Sequence, residues 1–180
     1  MPITRNAALL ATGGFLAVLF LAEAANAITD TVFKYSTVRK GYLGFPPSAF
    51  APGNGGNSFY NVFNYGTVLQ VASSYTCVNA PVNLPEGATM TNLFVRYGKT
   101  TGTAEITLVT STYLTNAATI LLDLSLANTN NAPTNISRLI ASGGAKIDNG
   151  HNSYWLRFCA DNSAFFDNMR IAYTYTTAGD

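Results

Sequence analysis

The chain has 180 residues, with ten Lys and Arg, nine Asp and Glu and one His, a formal net charge of +1. Charged residues make up only 11% of it and are scattered, so there is neither the basic stripe of a nucleic-acid partner nor the polybasic cluster that holds an anionic membrane. Two Cys and one His in unrelated spacings do not supply the four ligands of a zinc site.

Residues 1–27 have the parts of a cleaved export signal. Arg5 lies near the start, an apolar stretch runs from Ala7 to Ala22, and Ala25-Asn26-Ala27 forms a small-x-small end. With Gly13-Gly14 inside it, the stretch is short of the ~20 predominantly apolar residues of a spanning helix. No Cys follows it to carry a lipid anchor, and no later segment is apolar enough to span a membrane. Cleavage after Ala27 leaves residues 28–180 as a single domain, placed in the periplasm, at the cell surface or outside the cell. In that oxidising compartment Cys77 and Cys159 are expected to pair, two buried free thiols being the alternative. Closing so long a loop is worth on the order of 4 kcal/mol in chain entropy.

Along the chain, Pro46-Pro47 and Pro52-Gly53-Asn54-Gly55-Gly56-Asn57 read as one loop region, and Leu84-Pro85-Glu86-Gly87 as a tight turn. The segment 91–97 alternates, with Leu93, Val95 and Tyr97 on one face and Asn92 and Arg96 on the other. After a turn over 98–102, Glu105-Ile106-Thr107-Leu108 continues the alternation. In 117–127, Ile120, Leu122, Leu124 and Leu126 alternate as in a strand, although Leu also favours helix. Loops follow at 128–133 and at Asp148-Asn149-Gly150. Tyr154, Leu156 and Phe158 then alternate with Trp155, Arg157 and Cys159, and Met169, Ile171, Tyr173 and Tyr175 with Arg170, Ala172 and Thr174. Short strands between turn signals predict an all-β protein, an antiparallel β-sandwich of jelly-roll kind with roughly eight to ten strands. The strand before Cys77 and the strand carrying Cys159 would be tied by the disulfide.

No catalytic constellation stands out. There is no Gly-x-Ser-x-Gly elbow, and His151 reads as a solvated turn residue. A glycosidase would need two facing carboxylates ~5–9 Å apart, which sequence does not place; Glu105 falls on a strand face open to water. Asp148, Asp161 and Asp167 each precede an Asn, which is ordinary turn chemistry. Oxygen-rich turns of this kind make them weak calcium candidates, without EF-hand spacing. Neither a metal nor a cofactor is expected. The aromatic candidates for a ligand or an interface are Phe59, Tyr60, Phe63 and Tyr65, crowded after the Gly/Asn loop, and Trp155. Such rings present flat faces to sugars, join subunits, or fill the core. Asn135-Ile136-Ser137 matches the N-glycosylation pattern.

The run from Cys77 to Ala88 contains Ala80-Pro81-Val82-Asn83-Leu84-Pro85-Glu86-Gly87-Ala88. Lys146-Ile147-Asp148-Asn149 follows later, then Tyr154, and Phe50-Ala51-Pro52 stands near the start. Together these resemble an A-P-V-x-L-P-x-G-A … D-N … Y pattern in poorly characterised secreted bacterial proteins, over most of residues 48–175. The resemblance implies secretion and a single β-sandwich domain, and no particular activity. Those proteins often carry Tyr-Asp where this chain has Tyr97-Gly98.

Low charge, Thr- and Asn-rich strands, many aromatics and no reactive cluster favour a secreted, non-catalytic structural or self-assembling protein of the bacterial exterior, a homo-oligomer. The alternative is an extracellular carbohydrate- or ligand-binding module of adhesin type, with a glycan or another surface ligand as partner. A hydrolase comes third.

Overall fold

A computed structural model describes residues 33–53, 60–63, 68–71, 75–161 and 163–178. Residues 1–27, read above as an export signal, lie outside them. The described residues form β1 (Phe33–Phe45), β2 (Ala51–Pro52), β3 (Tyr60–Phe63), β4 (Val68–Val71), β5 (Thr76–Pro81), β6 (Thr89–Lys99), β7 (Ala104–Thr112), β8 (Ala118–Ser125), β9 (Thr134–Leu139), β10 (Ala145–Lys146), β11 (Asn152–Ala160) and β12 (Ala164–Ala178). A 3₁₀ turn covers Pro47–Ala49. The strands exceed the expected eight to ten because β2 and β10 are two residues each, too short to leave an alternating pattern.

All pairings are antiparallel and build two sheets. In sheet A, β6 and β12 run side by side along their length. Beyond β6 lie β9 and β10; beyond β12 lie β4, which carries β3, and β1. Sheet B has the order β2-β5-β11-β7-β8. The period-2 runs face inward as their apolar residues require. Leu93, Val95, Met169 and Ile171 of sheet A, and Ile106, Leu108, Leu156 and Phe158 of sheet B, belong to one buried cluster. Phe166 anchors it, with ring centroids 4.8 Å from Phe50 and 5.0 Å from Phe158 in edge-on arrangements. The protein is an antiparallel β-sandwich of jelly-roll type.

Four local outcomes refine the sequence reading. Residues 118–125 are a strand, but Leu121 has no partner: Leu108 faces Leu122 and Val109 faces Ile120. This bulge reverses the phase, so Leu122 packs on the core while Ile120 is exposed. Cys77 lies within β5, not after a strand, and stands directly across from Cys159 of β11. The disulfide forms between these neighbouring strands, with Cα atoms 4.0 Å apart. Gly98 is a strand residue opposite Phe165, and an added Cβ would come within 2.5 Å of that ring. An aspartate at this position would displace the ring, which accounts for glycine here. Lastly, Pro46 and Pro52 are not in one loop: Phe50 between them is buried in the core.

The two segments of the A-P-V … D-N pattern meet. Asn149 donates its backbone N–H to Glu86 (2.6 Å) and its side-chain amide to the Leu84 carbonyl (3.0 Å). Tyr154 Oη accepts from the Asp148 N–H at 3.0 Å. In this chain they form a structural clamp at one end of the sandwich. Among the described residues, no helix is long and apolar enough to cross a membrane.

Candidate functional site

Strand order decides what gathers on the outer face of sheet A. Because side chains alternate, the residues opposite the buried set of β6 and β12 point away from the core. They fall into rungs. One rung is Tyr42 of β1, Ala172 of β12, Asn92 of β6 and Leu139 of β9. The next is Gly44, Arg170, Phe94 and Ser137, and the third Asn168, Arg96 and Asn135. Four strands at about 4.8 Å spacing make a platform roughly 14 Å wide.

The middle of the platform is an aromatic and cationic stack. The Arg170 guanidinium carbon lies 4.8 Å from the Tyr42 ring centre and 5.0 Å from that of Phe94. The two rings are edge-on to each other at 6.4 Å. Tyr42 is 58% exposed, and its rung neighbour Leu139 is exposed as well. Nothing lies within 4 Å of where a Cβ on Gly44 would stand, which leaves the flank of Arg170 open. Beside the stack a groove of about 400 Å³ is lined by Phe94, Arg96, Asn135, Asn168 and Arg170. A hollow of about 330 Å³, bounded by Gly44, Pro46, Pro47 and Asp167, adjoins it across Asn168. The volumes suit a small organic ligand, and the lining pairs apolar faces with a few amide and guanidinium donors. Asp167 is the bulged residue of β12, between Phe166 paired to Tyr97 and Asn168 paired to Arg96. Its carboxylate meets Arg96 at 3.2 Å and balances that charge.

The aromatic candidates read from sequence fall elsewhere. Phe59 and Tyr65 lie outside the described residues. Tyr60 and Phe63 belong to β3 at the edge of sheet A, and their side chains are likewise outside the description. Trp155 is half-buried on the outer face of sheet B, between Pro81 and Val109 in register. Tyr60 and Phe63 therefore belong to a different sheet from Trp155 and do not form one platform with it.

The three aspartates are also in separate places, and the described residues contain no group of three or more His, Cys, Asp or Glu able to hold a metal. Asp148 pairs with His151 Nδ1 at 2.9 Å, and this contact holds its carboxyl below the ordinary value. The turn histidine thus has a partner, which the Asp-x-x-His spacing foreshadowed. Burial opposes ionisation of Asp161, but hydrogen bonds from Ser163 and Thr103 outweigh it and hold that carboxyl low. Asp167 is committed to Arg96. Glu105, expected to face water, accepts a short hydrogen bond from the Tyr75 hydroxyl. Asn135 of the glycosylation pattern lies on β9, inside the groove lining.

Sequence reasoning missed Tyr42, Phe94, Arg170, Asn135 and Asn168 as a set. One signal was present: Phe94 is an aromatic on the polar face of a strand whose other face is already apolar. The lateral meeting of four strands distant in sequence left no local trace.

No family model matches the chain, and no curated protein matches it in sequence. Solved structures do match. The C-terminal CBM6 of LamC, a marine laminarinase from Zobellia galactanivorans, superposes with a TM-score of 0.50 at 10% identity, over 73% of this chain and 98% of that one. The carbohydrate-binding module CBM6cm-2 of Cellvibrio mixtus lichenase 5A, in complex with cellotriose, gives 0.47 at 10% identity over 72% and 95% of the two chains. The xylan-binding module CBM15 gives 0.46 at 7% identity over 79% and 99%. The likeness to the LamC module is one of fold: this chain is an antiparallel β-sandwich of the same general architecture.

Proposed function

We propose that this protein is an exported, non-catalytic glycan-binding domain whose ligand lies along the groove on the outer face of sheet A. The observation that carries this reading is the Tyr42–Arg170–Phe94 stack, with Tyr42 and Arg170 exposed and Phe94 half-buried, flanked by the side chains of Asn135, Asn168 and Arg96. Aromatic faces accept the C–H faces of sugar rings, while amides and guanidinium groups donate and accept at sugar hydroxyls. The LamC module, which shares the fold, is a carbohydrate-binding module, in agreement with this reading. The disulfide accords with an oxidising compartment outside the cytoplasm.

The reading is tested by affinity electrophoresis and calorimetry against a panel of soluble polysaccharides. At least one should retard the protein, and Tyr42→Ala and Phe94→Ala should each weaken binding about tenfold, near 1.4 kcal/mol. A protein retarded by no polysaccharide, or ring variants that bind like the parent, would overturn the assignment.

Self-assembly, expected from composition, has one observation in its favour. Among the described residues β1 pairs only with β12, so its other edge is open. Lys34, Arg39 and Lys40 lie along that strand, and charges of this kind disfavour edge-to-edge pairing. The groove therefore has the stronger claim.

A further inference from the structure

Resting on the glycan-binding reading, we infer that the groove selects an acidic polysaccharide and that Arg170 receives a uronate carboxylate of the bound chain.

The chain as a whole is nearly neutral, with ten basic and nine acidic residues. The platform is not. Its cations are Arg96 and Arg170, with Lys40, two residues before Tyr42 on the same side of β1, and Lys146 of β10 in the rung Lys40–Thr174–Thr89–Lys146. Its acid is Asp167, and that carboxylate is spent on Arg96. Among the described residues Arg170, Lys40 and Lys146 have no carboxylate partner. The remaining polar side chains of the rungs, Asn92, Asn135, Ser137 and Asn168, are neutral. Among the described residues the face therefore carries three uncompensated positive charges, with Arg170 at its centre.

Arg170 is also held ready. Tyr42 and Phe94 both lie within cation–π distance of its guanidinium and hold it over the platform, while among the described residues no ion pair engages it. A planar fork of N–H donors matches a carboxylate, which it can bind by two parallel hydrogen bonds. A neutral hydroxyl would use one of those donors and leave the charge uncompensated. Gly44 beside it leaves space for the incoming group. Tyr42, the more exposed of the two rings, is available to the neighbouring sugar, so ring stacking and charge recognition act within one short stretch of ligand.

The test compares polygalacturonate with the same polymer after carboxyl reduction, and with dextran sulfate, using the full chain by calorimetry at low and high salt. The native protein should bind polygalacturonate at least tenfold more tightly than the reduced polymer, as a charge-assisted bidentate contact implies. That preference should shrink in high salt. Arg170→Gln should bring the ratio close to one, and Arg170→Lys should restore part of it, the charge without the fork. Near-ultraviolet circular dichroism of each variant checks that the fold is kept.

Equal affinity for the acidic and reduced polymers would overturn the inference while leaving glycan binding intact. An undiminished preference in Arg170→Gln would overturn the role of Arg170. Stronger binding of dextran sulfate than of polygalacturonate would overturn the carboxylate assignment. Failure of the native protein to bind any polysaccharide would remove both this inference and the reading it rests on.

Discussion

Tyr75, just ahead of β5, illustrates how a side chain on the surface of sheet B acquires an unusual acidity. Burial and its hydrogen bond to Glu105 disfavour the phenolate, and its pKa is pushed up to about 12. Asp123 adds to this repulsion, and Arg157 opposes it. The neutral phenol is thus favoured by the folded state. The stabilisation is complete below the ordinary tyrosine pKa of 10 and is lost as the pH climbs from there through about 12. Denaturation midpoints taken from pH 9 to pH 12 should show the advantage of the native protein over Tyr75→Phe shrinking across that interval. A constant difference would mean that the phenol does not titrate late. The residue is half-exposed, so the effect is modest. The short Tyr75–Glu105 contact could not be read from sequence, since the partners are thirty positions apart.

At the scale of elements, the connection between β6 and β7 depends on one backbone conformation. Gly102 has φ +69°, in the left-handed region, and a Cβ there would stand 1.6 Å from Asp161 Oδ2. The same oxygen accepts the Thr103 N–H at 2.7 Å, so it is not free to retreat. Gly102→Ala should destabilise the domain by about 2 kcal/mol or more, through backbone strain and loss of this bond. Urea denaturation measures it, and a variant as stable as the parent would show that the turn has another conformation available. The glycine and the aspartate were each visible as turn residues. Their contact was not, because it joins the β6–β7 turn to the β11–β12 turn. Strand existence was the most legible level: the alternations at 91–97, 154–159 and 169–175 all lie within strands with the expected faces turned to the core, Tyr173 and Tyr175 being only partly buried. The Leu121 bulge shows the limit, since nothing in a run of leucines marks where a ladder gains an extra residue.

For the molecule as a whole, the disulfide joins strands that are already in register within sheet B. Its contribution therefore lies chiefly in the unfolded chain, where it closes an 82-residue separation. Replacing Cys77 and Cys159 together by Ser should cost about 3 kcal/mol and lower Tm by roughly 6–12 °C. The groove is on the other sheet, so polysaccharide affinity below Tm should be unchanged. Thermal denaturation and a binding isotherm on the same variant check both halves. An unaltered Tm would assign the pairing no stabilising role, and lost binding would tie the groove to the far sheet.

The periodicity of burial was legible along the chain: an all-β sandwich with apolar inner faces, turns at Gly, Pro and Asn, and two cysteines suited to pairing. These are properties of neighbours along the chain, since alternation and turn chemistry act over a few residues. The tertiary structure alone decided which outward residues share a surface. Tyr42, Phe94, Asn135 and Arg170 come from four different strands, and only the order β1-β12-β6-β9 sets them in adjacent rungs. That order depends on long-range pairing, in which each strand satisfies its backbone hydrogen bonds with partners distant in sequence. No local pattern encodes the choice among such partners, so the platform became visible only when the sheet was formed.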